Sequence, residues 1–147
     1  MMEDEAVSPR QRAPVETIVD GLEPIALVVR AAFDEPGLHF FTPPAFSQQL
    51  AVMRHPKGKK LDPHVHNPVS RQVLYTQEVL FVRTGLVEVT LFNSKRKVVR
   101  RIELGAGDII LLCGGGHAFR MMEDTTMVEV KQGPYTGDSD KTRFEED

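Results

Sequence analysis

The chain has 147 residues and a mass of 16.5 kDa, enough for one domain built around one core. A net charge of −3 and a pI of about 6.0 argue against a nucleic-acid partner, which needs a basic face, and no apolar run is long enough for a membrane span. The single cysteine, Cys113, excludes an intramolecular disulfide and a cysteine-rich zinc cluster.

In chain order, residues 1 to 14 mix charge with Pro9 and Pro14 without periodicity and read as a flexible N-terminal arm. Their acidic character, without the apolar centre of a secretion signal, points to a cytoplasmic protein. The rest, residues 15 to 147, reads as a single domain. Its first part is irregular: "ETIVDGLEPIALVVRAAF" is broken by Gly21 and Pro24, and "IALVVRAAF" fits a helix or a strand equally well. "DEPGLHFFTPPAF" holds three prolines and a glycine, and is turn or extended chain.

From residue 48 the texture changes. "QLAVMRH", "QVLYTQEVLFVRTG", "LVEVTLFN", "KVVRRIEL", "DIILLC", "HAFRMM" and "TTMVEVKQ" are short runs rich in β-branched and aromatic residues, parted by turn formers. "LVEVTLFN" alternates, with Val87, Val89 and Leu91 on one face and Glu88 and Thr90 on the other. Short strands at this spacing predict an all-β sandwich or barrel. "CGGGHAF" leads into a strand rather than a helix, which argues against a phosphate cradle.

"GKKLDPHVHNP", residues 58 to 68, places His64 and His66 two apart. On a strand they share one face and can offer two imidazoles to one ion, with Pro63 and Pro68 stiffening the pair. As a pair alone, they are also what an exposed loop looks like. Glu78 opens an apolar strand, where its carboxylate faces either solvent or a polar interior. His117 follows three glycines beside a buried-looking strand.

One spacing links these residues. Gly58, five residues, His64, one residue, His66, then Glu78, six residues and Gly85 are followed by "GDIILLCGGGH" at 107 to 117. The two segments resemble the paired motifs of the cupin superfamily, in the form of a small single-domain cupin of the kind found among polysaccharide-biosynthesis genes. The likeness covers roughly residues 48 to 131. This sequence departs from the pattern in four places. Eleven residues part His66 from Glu78, Cys113 stands at the usual proline, the gap from Gly115 to His117 is one residue short, and Met121 stands at or near the usual asparagine.

The resemblance implies a double-stranded β-helix, or jelly-roll barrel, in which His64, His66, Glu78 and His117 hold a divalent metal ion: Fe, Mn, Ni or Zn. It leaves open whether Glu78 reaches that ion, and it implies a homodimer. Arg54, Arg71 and Tyr75 are candidates for holding an anionic or hydroxylated ligand. Phe119 and Met121 share parity with His117 and are candidates for an apolar cavity wall. Lys131 ends a strand and points either to solvent or inward. Asp108 reads as a turn residue and Cys113 as a small buried residue at a strand end.

Three functions fit. One is a metal-dependent isomerase or oxygenase acting on a sugar or carboxylic acid. Another is a metal-free sugar-nucleotide isomerase or epimerase with a histidine as general base. The third is a non-catalytic ligand-binding module.

Overall fold

The computed structural model describes residues 13–147, so the arm expected over residues 1 to 14 lies outside the described residues except for its last two. Ten strands form, in the order β1 (Val15–Asp20), β2 (Glu23–Val29), β3 (Gly37–Phe40), β4 (Ala51–Arg54), β5 (Glu78–Thr84), β6 (Leu86–Phe92), β7 (Val98–Gly105), β8 (Ile109–Leu112), β9 (Gly116–Met121) and β10 (Thr126–Lys131). A four-residue 3-10 turn, Gly137–Asp140, follows. None of these elements is a helix long and apolar enough to cross a membrane.

The strands make three antiparallel sheets: β1-β2-β8-β5-β10, β7-β6-β9, and the pair β3-β4. Ile25, Ala26, Val28, Leu80, Val82, Ile110 and Leu112 of the large sheet pack against Val87, Val89, Leu91, Ile102 and Leu104 of the three-stranded sheet. This is the main core. A second cluster forms on the opposite face of the large sheet, where Leu27, Val29 and Leu111 meet Leu50, Phe33, Phe41, Phe46 and Val52.

The central strands β2 and β8 are therefore covered on both faces. That explains why "PIALVV" and "IILL" are unbroken apolar runs while the half-covered β6 alternates. Each fully buried aliphatic side chain stabilises by roughly 1.5–3 kcal/mol, which holds the two layers together. The ambiguity over "IALVVRAAF" is thus resolved as strand. The irregular stretch expected ahead of the β-rich region instead supplies β1 and β2 of the large sheet.

Two expectations are corrected. Among the described residues the sheets do not close into a barrel: β1 and β10 are the edges of one sheet, β7 and β9 of another. Across the gap between β1 and β7 the link is a side-chain ion pair, Arg100 with Glu16, rather than a backbone ladder. The other correction concerns residues 55–77, which contain no strand, so His64 and His66 do not lie on one. Pro56, Pro63 and Pro68 each remove a backbone donor there, and "QVLYTQ" joins no sheet before Glu78 begins β5.

Candidate functional site

One end of the two-layer stack is where β5 begins, β8 ends and β9 begins. Glu78 lies opposite Leu112 on one side and Lys131 on the other. It shares parity with Leu80 and Val82 and so points between the sheets. His117 lies opposite Leu91, and Phe119 opposite Val89, both core residues of β6, so this face of β9 also turns inward. The two strand ends bring His117 Nε2 to 3.3 Å from Glu78 Oε2.

Glu78 is buried, whereas about a third of the His117 side chain (31%) is open to solvent. The hydrogen bond from His117 holds the Glu78 carboxyl below its ordinary value of 4.5. Burial acts in the other direction, and the charges of His117, Lys131 and Lys141 add to the lowering. Glu78 is accordingly an anion at neutral pH. It orients the imidazole: with Nε2–H directed at the carboxylate, the neutral ring carries its lone pair on Nδ1.

The pair lines a cavity of about 940 Å³, with Tyr75, Phe119, Lys141 and Phe144 among the other walls. This volume falls in the range of small-molecule sites, which combine apolar walls with a few placed polar groups. The Cys113 thiol is part of the wall, and burial pushes it up to about 11, so at neutral pH it is neither a thiolate nucleophile nor a thiolate ligand.

The three glycines before His117 have a steric cause. A Cβ on Gly115, at φ +59°, would lie 1.9 Å from the carbonyl oxygen of Phe92. On Gly114 it would lie 2.3 Å from that of Pro24. These glycines let the chain turn tightly between β8 and β9, which is what delivers His117 to the cavity. Gly116 leaves room for the ring of Phe144, 3.0 Å from where a Cβ would stand.

Asp108 has the structural part expected of it. Its Oδ1 accepts from Ala31 N at 2.9 Å, and its Oδ2 accepts from Gly105 N at 2.9 Å and Arg30 Nη1 at 3.0 Å. Arg30 Nη1 also donates to the Glu103 carbonyl at 2.6 Å.

The expected metal donors divide into two pairs. His64 and His66 form one, with ring centroids 5.3 Å apart and His64 Nδ1 3.1 Å from Asp62 O; Glu78 and His117 form the other. Among the described residues no three His, Cys, Asp or Glu side chains stand close enough together to hold a metal ion. As placed, the four do not make one coordination sphere.

Of the ligand-holding candidates, Tyr75 and Phe119 line the cavity beside the pair. Arg54 does not; it is bound to Asp34, through Nε at 3.2 Å and the backbone oxygen at 2.8 Å. Arg71 is exposed on the segment 55–77, and Met121 is exposed at the far end of β9.

Sequence reasoning missed the C-terminal residues. Residues 140–144 and Glu146 line the cavity. Thr76 is hydrogen-bonded to Asp140, Phe144 packs edge-on against Phe92 with centroids 5.0 Å apart, and Arg96 lies 5.2 Å over the Phe144 ring. Arg101 pairs with Glu146 and Lys97 with Asp147. The only signal available was an aromatic residue in an otherwise charged tail, "KTRFEED". Comparison with protein-family models, with curated proteins and with solved structures finds no match for this chain.

Proposed function

We propose that this all-β protein is a two-sheet jelly-roll of the cupin kind that binds a small hydroxylated or carboxylated metabolite, a sugar or carboxylic acid, in the cavity at the ends of β5, β8 and β9. His117 is the general base, and Glu78 positions it. The observation that carries this reading is the 3.3 Å contact between His117 Nε2 and an ionised Glu78 in the wall of a cavity that also offers aromatic rings and Lys141.

A carboxylate that fixes the imidazole tautomer supports proton abstraction next to a carbonyl, and it stabilises the imidazolium that forms. Tyr75 and Phe119 suit the apolar face of a sugar ring, and the Lys141 ammonium suits a carboxylate or a ring hydroxyl. This is the metal-free isomerase or epimerase reading.

The test is a thermal-shift and calorimetric screen of sugars, sugar nucleotides and carboxylic acids. Each binder is then incubated in deuterated water and followed by proton NMR. Binding with deuterium uptake that His117→Gln abolishes supports the base. Binding with no uptake in either protein reduces the function to ligand binding, and no binding at all removes the reading.

The T-shaped pairing of His64 with His66, on a segment whose own hydrogen bonds do not tie it to the body, favours a second reading, a divalent ion bound by the histidines. Stoichiometric metal in protein purified without a histidine tag, lost in both His64→Ala and His117→Ala, supports it. Metal lost in neither variant removes it.

A further inference from the structure

After β10 the chain crosses from the large sheet to the three-stranded one, at the end where Glu78 and His117 meet. Thr76, two residues before β5, is hydrogen-bonded to Asp140. Phe144 then packs edge-on against Phe92 at the end of β6, and Arg101 of β7 and the preceding Lys97 pair with Glu146 and Asp147. Residues 140–147 thus form a strap between the two sheets.

The strap is lightly held. Among the described residues no backbone-to-backbone hydrogen bond joins 133–147 to a strand, and Phe144 alone of residues 138–147 is half-buried. The ion pairs are exposed, and salt weakens pairs of that kind. Phe144 is the anchor. It lies against Phe92, which is 2% accessible yet belongs to neither core cluster, in the space that Gly116 leaves and with Arg96 over its ring.

What the strap brings to the cavity is positive charge. The volume of about 940 Å³ is present with the strap docked, so the strap is a wall and not a plug. Its one aromatic ring is used by the anchor, while Lys141 and Arg143 line the cavity. Of the carboxylates in that lining, Glu78 is engaged by His117, Asp140 by Thr76 and Glu146 by Arg101. Among the described residues, Lys141, Arg143 and Arg96 make no ion pair, and only Glu23 of the lining stands against them. The Lys141 charge also reaches the Glu78 carboxyl, which it helps to hold low. A cavity with surplus cations selects an anion.

Resting on the reading of this cavity as a metabolite site, we propose that residues 140–147 are a clamp that sets its specificity: Lys141 and Arg143 hold an anionic group of the metabolite, carboxylate or phosphate, and Phe144 is the pin that keeps the clamp docked.

Two measurements on the full-length chain test this. The first is calorimetric titration with glucuronate, galacturonate, glucose 1-phosphate and galactose 1-phosphate, each against its neutral parent sugar. An anionic member should bind at least tenfold more tightly than its parent, and the uronates against the phosphates distinguish the two anions. Lys141→Gln with Arg143→Gln should remove most of that advantage, and added salt should narrow it. A parent sugar that binds as well as its anion overturns the clamp and leaves the cavity reading standing, as does an advantage that survives the double substitution. Failure of all four anions also overturns the clamp, and the wider metabolite screen then decides the cavity reading by itself.

The second is limited trypsin digestion followed by intact mass. Trypsin reaches Lys141 and Arg143 when the strap leaves the body, so the rate tracks the undocked population. Phe144→Ala should speed cleavage at these two sites about fivefold, and a bound anion should slow it in the wild type. Equal rates in the two proteins, with circular dichroism unchanged, overturn the docked clamp.

Discussion

Asp108 and Glu78 are two carboxylates equally withdrawn from water, each 9% accessible, and they do opposite things. The oxygens of Asp108 accept from two backbone amides and the Arg30 guanidinium, donors that belong to the framework of the fold. Glu78 meets an imidazole, that of His117, at the wall of a cavity. Burial therefore does not separate a structural carboxylate from a functional one. The identity of the donor does.

The largest expected effect is at the structural carboxylate. Asp108→Ala leaves the partly buried Arg30 without its counter-ion and orphans two amides, and it should cost about 3 kcal/mol in a urea titration. Asp108→Asn keeps the shape but not the charge, and should recover part of that loss. At the other carboxylate the balance reverses. Glu78→Gln should cost only about 1 kcal/mol of stability, because the amide still accepts from His117. If His117 is the base, proton exchange on a bound metabolite should fall on the order of a hundredfold. A Glu78→Gln protein as unstable as Asp108→Ala would erase the contrast between the two sites.

The pH dependence is a finer measure. The Glu78 carboxyl is lowered in the folded protein, so the unfolded chain binds the proton more readily. Its contribution to stability is complete above the unfolded value near 4.5 and is lost as the pH falls through the lower folded value. Acid titrations of unfolding free energy should show this limb in the wild type and a shallower one in Glu78→Gln. The smallest effect is expected at Phe144→Ala, which removes the ring from Phe92 and Gly116 and should cost about 1 kcal/mol by thermal unfolding, while easing entry to the cavity.

The legible parts of the fold are those with local causes. Alternation in "LVEVTLFN" put Val87, Val89 and Leu91 on one face, and all three are fully buried. Glu78 and His117 were also legible as candidates, through the spacing that links them: Glu78 opens a strand that ends at the Gly85 turn, and His117 follows three glycines. His64 and His66 were legible as a pair, but their strand was not to be had, since prolines on either side deny it a ladder. "IALVVRAAF" stayed ambiguous because a strand covered on both faces has no period to read. The C-terminal wall of the cavity was invisible, since Phe144 and Asp140 matter only through where the tail returns.

Residue order alone settled the strand-rich character, the inward face of β6 and the glycines that turn the chain into His117, since all three follow from sterics and side-chain alternation within a few positions. Tertiary structure decided that the sheets stay open and that Glu78, not the His64 and His66 pair, is the neighbour of His117. It also decided that the tail walls the cavity. Those outcomes depend on how strands distant in sequence stack and where loops run between them, and no local pattern encodes such distances.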